Sequence, residues 1–132
     1  MLKRIDALSL CYALTTRLGA FLVFQVQPVI SKAILPWFGG APAVWTTCLL
    51  FFQVVLFFGY AYAHVLSSRL SPFWQGITHA TLIVIAVSLL PIIPSESWKP
   101  SDSHQPTWRI LLMLGANVGL PYFLLSATAP LI

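Results

Sequence analysis

The chain has 132 residues, of which 58% are hydrophobic and 8% are charged, and its formal net charge is +4. Soluble domains are about 45–50% apolar and about 25% charged, and a domain of this size leaves much of its surface in water. The composition therefore excludes an ordinary soluble fold. The basic residues form no run, which argues against a nucleic-acid partner. The lipid bilayer is the expected partner.

Four apolar stretches follow one another along the chain and predict an all-α integral membrane protein. About 20 residues are needed for one helix to cross a bilayer, so the length accommodates four spans joined by short loops. We expect a single membrane domain over residues 1–132 that forms a four-transmembrane-helix bundle. In chain order, the predicted spans cover approximately residues 10–35, 42–66, 72–93 and 108–132.

Proline and glycine mark the ends of the predicted spans. Pro36 and Gly39 follow the first span, because proline ends helices and glycine favours turns. Pro42 and Pro72 suit the first turn of the second and third helices, where a missing N–H costs no hydrogen bond. The third and fourth spans are joined by a polar loop at residues 95–107.

The basic residues and the tryptophans predict the orientation of the bundle. Cytoplasmic loops carry an excess of Lys and Arg, and Trp concentrates at the membrane interfaces. This rule places both termini in the cytoplasm and the polar loop outside. The cytoplasmic side would carry Lys3, Arg4, Arg17 and Arg69, and the other side Lys32, Lys99 and Arg109. Trp74 would mark the cytoplasmic interface, with Trp37, Trp45, Trp98 and Trp108 at the other.

Polar side chains within the spans are candidates for the interior of the bundle. Polar groups in hydrocarbon are costly, so they usually face other helices or a water-filled cavity. The candidates are Gln25, Gln27, Lys32, Gln53, Tyr60, His64 and Asn117. In the second span, one helical face carries Thr46, Gln53, Tyr60 and His64. Two simpler interpretations stay open, namely that Lys32 snorkels to the interface and that the amides only join helices.

Prolines and glycines inside the spans add two further features. Pro28 and Pro121 are predicted to kink their helices, because a proline within a helix frees a backbone carbonyl. Such breaks occur at transporter binding sites and also as plain structural kinks. Gly115 and Gly119 form a Gly-x-x-x-Gly motif, which predicts close packing between helices.

The sequence does not predict an enzyme. Asp6, Glu96 and Asp102 all lie outside the predicted spans, which argues against acid–base catalysis within the membrane. The spacing of Cys and His matches no zinc or disulfide framework. Axial ligation of haem by His64 and His79 is conceivable on geometry alone, and nothing else in the sequence favours it. We therefore expect no catalytic residue, no cofactor and no metal.

Two regions of the chain resemble a known family, Phe21–Leu66 and Pro121–Ile132 (PYFLLSATAPLI). The most specific motifs in the first region are Val26–Lys32 (V-Q-P-x-x-x-K) and Phe38–Trp45 (F-G-G-x-P-A-V-W). The chain is similar to the N-terminal membrane region of bacterial spermidine-synthase-like membrane proteins, in which a major-facilitator-like segment is fused to an aminopropyltransferase domain. The resemblance extends over roughly half of the chain, and the third span carries none of it.

The resemblance implies a place in the bacterial cytoplasmic (inner) membrane and a cytosolic aminopropyltransferase domain as a partner. In that family the catalytic domain has a Rossmann-like, glycine-rich site. This chain has no strand–glycine loop–helix pattern, so the resemblance concerns the membrane half alone. Aminopropyltransferase activity is not carried over to any residue of this chain.

An internal match suggests that the four helices belong to a larger inverted-repeat fold. The matched segments are Phe21-Leu22-Val23-x4-Pro28-Val29-Ile30 and Phe123-Leu124-Leu125-x4-Pro130-Leu131-Ile132. Spans one and four would then be equivalent but oppositely oriented, as in the inverted repeats of major-facilitator transporters. Further helices or a second copy of the chain would complete the fold, so we do not expect an isolated monomer to function.

Two functions fit these features. The first is a membrane domain that anchors or regulates a cytosolic partner, or that contributes to transport of a small solute such as a polyamine. Spans without carboxylates argue against direct polyamine binding, because cations are usually met by acids or aromatic faces. The alternative is a structural or assembly subunit of a larger membrane complex, in which the polar faces join helices.

Overall fold

A computed structural model describes residues 7–91, 93–99 and 106–132, and helices make up most of this part of the chain. In chain order the helices are α1 (Ala7–Ile34), α2 (Pro42–Arg69), α3 (Pro72–Ser88), α4 (Pro106–Leu114) and α5 (Leu120–Leu131). Short 3-10 turns lie at Leu35–Phe38 and Glu96–Trp98, and one wide π-helical turn lies at Gly115–Gly119. The predicted all-α class is confirmed for the described residues.

Three helical segments in the described residues are long and apolar enough to cross a membrane. They are Ala7–Phe38, Pro42–Arg69 and Thr107–Leu131. The predicted first, second and fourth spans correspond to these segments. Their outward-facing side chains are mostly large and apolar; Phe24, for example, is 72% exposed. Side chains of this kind suit lipid as a solvent.

The third predicted span, residues 72–93, contains a shorter helix. α3 ends at Ser88 and has 17 residues, which corresponds to about 26 Å of helix against a hydrocarbon core of about 30 Å. The helix ends here because Pro91 has no N–H to continue the hydrogen-bond ladder and disfavours helical geometry at the residue before it. At its other end, Pro72 occupies the first turn as predicted.

A glycine pair makes the turn between α1 and α2. Gly39 and Gly40 have φ angles of +80° and +67°, a left-handed conformation that side chains disfavour. The Gly40 N–H donates to the Leu35 carbonyl at 3.0 Å, which closes the turn. Pro42 then begins α2. The ends predicted from proline and glycine are therefore confirmed at this connection.

The last helical segment is continuous from α4 to α5 but widens between them. Gly115–Gly119 form the π-helical turn, and Pro121 follows directly. Because Pro121 lacks an N–H, it cannot supply the normal bond to the carbonyl one turn earlier. The side-chain amide of Asn117 donates to the Met113 carbonyl at 2.8 Å, which adds a donor where the ladder is disturbed. α1 by contrast runs through Pro28 as one helix, and the kink predicted there stays a prediction.

α5 lies at the centre of the bundle and packs against α1, α2 and α3. Phe52 of α2 meets Tyr122 edge to face, with ring centroids 4.8 Å apart, and Gly59 lies against Ser126. Residue numbers on α2 and α5 thus rise together, so these two helices run parallel. Buried residues of α1, α2 and the last segment, including Ile30 and Val118, complete the core.

The described ends of the chain lie at one end of the molecule. Tyr12 near the start of α1, Pro72 at the start of α3 and Leu131 at the end of α5 line one pocket. At the opposite end, the Lys99 ammonium lies 5.5 Å from the centre of the Trp37 ring. Trp37 and Lys99 therefore share one end, as the aromatic-belt argument predicts.

Candidate functional site

Most of the predicted interior residues lie on the outside of the single chain. Exposed side chains are those of Gln25, Lys32, Gln53, Tyr60 and His64. Covering these side chains within a shared interior would require further helices, so the predicted interior position stays a prediction.

The polar residues of α2 are exposed because a different face of this helix packs against the rest of the bundle. On α2 the buried face carries small residues, including Thr47, Cys48, Gly59 and Ala63. Small residues let helix backbones approach closely, and in lipid van der Waals packing drives association where hydrophobicity cannot. The small face of α2 therefore packs against α5, and the polar face turns outward.

Among the described glycines, the tightest approach to another helix is at Gly59, and the predicted Gly115-x-x-x-Gly119 motif is less tightly packed. A methyl group on Gly59 would collide with the Ser126 hydroxyl and would lie 3.1 Å from the Phe123 carbonyl oxygen. The same addition at Gly115 would meet nothing within 4 Å. Gly115 and Gly119 belong to the π-helical turn. Gly59-x-x-x-Ala63 is the sequence signal that could have identified the packing face.

Two of the predicted polar residues are half-buried and make hydrogen bonds within the single chain. Gln27 is half-buried, and its side-chain amide donates to the Tyr122 hydroxyl at 2.6 Å, joining α1 to α5. Asn117 is also half-buried and bonds within its own helix. Tyr122 itself is buried against Phe52. The amide of Gln27 thus joins two helices, which is one of the simpler interpretations left open for such residues.

A second polar cluster was not among the predicted site residues. His79 of α3 is buried, and its Nε2 lies 3.0 Å from the Thr128 hydroxyl oxygen on α5. The Thr128 hydroxyl donates its one hydrogen to the Leu124 carbonyl at 2.8 Å. Since that hydrogen is used, His79 Nε2 must be the donor to Thr128, and Nδ1 is left as an acceptor.

Three buried polar atoms have no hydrogen-bond partner among the described residues: Ser31 Oγ, Tyr62 Oη and His79 Nδ1. The Tyr62 and His79 rings lie near each other, with centroids 6.1 Å apart. An unpaired buried polar group costs about 1–3 kcal/mol. Tyr62 Oη and His79 Nδ1 are two such atoms, and both belong to residues at the contact between α2, α3 and α5.

Two cavities flank this cluster on the α1–α3 side of α5. One is apolar, with a volume of about 490 Å³, and the other has a volume of about 400 Å³ and includes polar residues. Ile83 and Thr128 line both. Within the described residues there is no group of three or more Cys, His, Asp or Glu placed to hold a metal ion. The expected lack of enzyme activity stays a prediction.

Comparisons with protein-family models, with curated proteins and with solved structures give no match for this chain. The resemblance to spermidine-synthase-like membrane proteins therefore stays a prediction from its motifs.

Proposed function

We propose that this chain is a membrane domain that works by assembly with further transmembrane helices. The observation that carries the proposal is the polar stripe of α2, defined as Thr46, Gln53, Tyr60 and His64. All four side chains are exposed on the single chain. Thr46 donates to the Pro42 carbonyl of its own helix at 3.1 Å, so its hydroxyl hydrogen is already used within α2.

The position of Gln53 makes exposure to lipid costly. It lies eleven residues after the start of α2 at Pro42, or about 16 Å along the helix axis. The hydrocarbon core is about 30 Å thick, so this amide sits near the middle of the bilayer. Polar side chains at that depth usually face other helices or water. Further helices against the stripe would supply the missing hydrogen bonds.

A four-span arrangement with both ends in the cytoplasm is part of the proposal. α2 and the last helical segment run parallel, so the chain between them has to return across the membrane. α3 and the apolar residues after it provide that return, although α3 alone is shorter than the hydrocarbon core. The Lys and Arg residues near the N-terminus and Arg69 at the α2–α3 turn support a cytoplasmic location for that end.

The resemblance supports a specific parent for the assembly. The chain would be the membrane domain of a spermidine-synthase-like protein of the bacterial inner membrane, and the added helices would complete an inverted-repeat fold. It would anchor or regulate a cytosolic aminopropyltransferase domain, or help to form a pathway for a small solute. The alternative is a structural subunit of another membrane complex, favoured by the Gln27–Tyr122 bond, which uses a polar pair only to join helices.

The test of assembly is the mass of the particle extracted from native membranes in a mild detergent, corrected for bound detergent. We expect a second copy or a fixed partner with the wild-type chain. Gln53→Leu should release it, because the amide loses its bonds across the interface. Val54→Leu, at the neighbouring exposed apolar position, is the matched control and should leave the particle intact. A uniform single-copy particle that keeps its fold on dilution would contradict the proposal.

The same membranes test the proposed topology. Single cysteines at Ser68 and Ser97, both exposed, can be placed in a chain whose Cys11 and Cys48 have been replaced. An impermeant thiol reagent added outside should label position 97 and leave position 68 unlabelled until the membrane is opened. The reverse pattern would contradict the cytoplasmic assignment, and it would leave the assembly test unaffected.

A further inference from the structure

We propose that the polar stripe of α2 pairs with the same stripe on a second copy of this chain, with the two α2 helices parallel. This inference rests on the proposed function, because it names the partner in the assembly. The stripe lies on the far side of α2 from the bundle. At about 100° per residue, its members centre about 150° away from the buried residues of the helix, which include Cys48, Phe52 and Gly59. A neighbouring helix can therefore approach the stripe from outside the chain.

The spacing of exposed positions on this side of α2 indicates that a helix covers it. Leu50 and Phe57 lie between members of the stripe and are 57% and 68% exposed. With them, exposed positions 46, 50, 53, 57, 60 and 64 alternate at intervals of four and three residues, and we call these six positions the outer seam. This alternation is the repeat of left-handed coiled coils, in which two helices cross at about 20° and keep one seam in contact. A helix that crosses α2 in this way would contact every position of the outer seam.

The chemistry of the outer seam is complementary to itself. Two copies inserted in the same orientation can pair about a two-fold axis along the membrane normal, which brings each residue opposite its counterpart at the same depth. Gln53 then meets Gln53 of the second copy near the middle of the bilayer. A carboxamide both donates and accepts, so this pair can form two reciprocal hydrogen bonds. Tyr60 and His64 likewise offer a donor and an acceptor one turn apart.

Charge distinguishes α2 from α1 as the surface that meets its own copy. α1 also exposes a polar face, with Gln25 and Lys32 seven residues apart. The same two-fold pairing through that face would set two Lys32 ammonium groups opposite each other, and like charges placed together across an interface are strongly unfavourable. The outer seam of α2 contains no Lys, Arg, Asp or Glu. Self-pairing through α2 therefore gains the amide bonds of Gln53 without a repulsive contact.

The first experiment is disulfide cross-linking of the full chain in native membranes. Single cysteines replace Leu50 or Phe57 in a chain whose Cys11 and Cys48 have been substituted, and a copper–phenanthroline oxidant is added. Because a disulfide needs Cα atoms within about 7 Å, we expect copy-to-copy cross-links at both positions. Cysteines at two other exposed positions, also seven residues apart but outside the outer seam, are the matched controls and should cross-link little: Phe58 and Val65. Equal cross-linking at all four positions, or at only one position of the outer seam, would overturn the parallel pairing.

The second experiment keeps both native cysteines and measures association between two differently tagged copies of the chain in a mild detergent. Gln53→Leu in both copies should weaken association by roughly tenfold, because two interhelical hydrogen bonds are lost. Gln53→Asn retains an amide that both donates and accepts and should keep most of the association. Since Gln53 is exposed in the single chain, neither change should disturb the fold of one copy. Association that is as strong with Gln53→Leu as with the wild type would overturn the proposal.

The two experiments separate this inference from the proposed function. A particle that holds one copy of this chain together with a different protein, with cross-links from positions 50 and 57 to that protein, would overturn the second copy and leave assembly with further helices in place. A particle that holds one copy and no other protein would overturn both. Two copies in one particle, with cross-links at positions 50 and 57, would support both.

Discussion

The first helix and the last helix carry nearly the same sequence pattern but occupy different environments. In the matched segments, Leu22 of α1 is 40% exposed, whereas its counterpart Leu124 of α5 is 2% exposed. Phe21 is exposed, whereas its counterpart Phe123 packs against Tyr62, with ring centroids 5.2 Å apart. At these two positions the same residue types face outward in α1 and pack against other helices in α5.

The residues between the matched positions explain the difference. Ser126 and Ala127 of α5 are small and buried, and α2 approaches α5 there through Gly59. The corresponding residues of α1 are Phe24 and Gln25, which are both exposed and too large for such an approach. In lipid, close backbone approach decides which helix takes the centre, because apolar side chains gain little by leaving lipid.

The largest expected effect contrasts the two matched leucines. Leu124→Ala should destabilise the folded chain by about 2 kcal/mol, at the low end of core truncations, because packing is lost while little is gained or lost by transfer from lipid. Leu22→Ala should cost less than about 1 kcal/mol, since the side chain is already largely exposed. The free energy of unfolding of each variant can be measured in mixed micelles. Equal losses would show that α1 and α5 are packed alike.

The second prediction contrasts two glycines. Gly59→Ala should destabilise the bundle by about 1–3 kcal/mol, because the new methyl group collides with Ser126. Gly19→Ala on α1 meets open space and should be neutral or stabilising by up to about 1 kcal/mol. The same micelle assay reports both values. If Ser126→Ala in the Gly59→Ala background restores no stability, the collision is not the cause.

The third prediction concerns the bond that joins α1 to α5. Tyr122→Phe removes the hydroxyl that accepts from Gln27 and should cost about 0.6–1 kcal/mol, the usual range for interhelical hydrogen bonds in membranes. Tyr60→Phe is the matched control on the outward stripe of α2 and should leave the stability of the single chain unchanged. A double-mutant cycle with Gln27→Leu isolates the pair. A coupling energy of zero would contradict a stabilising bond between Gln27 and Tyr122.

The smallest expected effect lies in the loop outside the bundle. The Lys99 ammonium donates to Glu96 at 2.8 Å and holds the pKa of this carboxyl below its usual range. Because the folded pKa is depressed, the associated stability is present above the ordinary carboxyl pKa and is lost as pH falls through the depressed value. Nuclear magnetic resonance titration should show the Glu96 pKa rising in Lys99→Met. An unchanged pKa would mean that the pair does not form in solution.

The sequence predicted the helical class and several helix starts, and it did not predict which helix faces pack. Pro42 and Pro72 begin helices as predicted, because proline geometry acts locally, and three of the four predicted spans have helices of spanning length. The predicted interior position of Gln53 and Gln25 stays a prediction, because both are exposed in the single chain and polarity alone does not say which neighbour covers a residue. Part of the predicted loop 95–107 lies outside the described residues.

The sequence by itself determined the class of protein, the starts of the helices and the preference of their surfaces for lipid, because composition, proline and chain length act without reference to distant residues. Only the tertiary structure decided that α5 lies at the centre, that Gly59 makes the close contact, and that His79 meets Thr128. These choices depend on the shapes of surfaces far apart in sequence. In a solvent as apolar as the side chains, shape and hydrogen bonding distinguish one helix face from another.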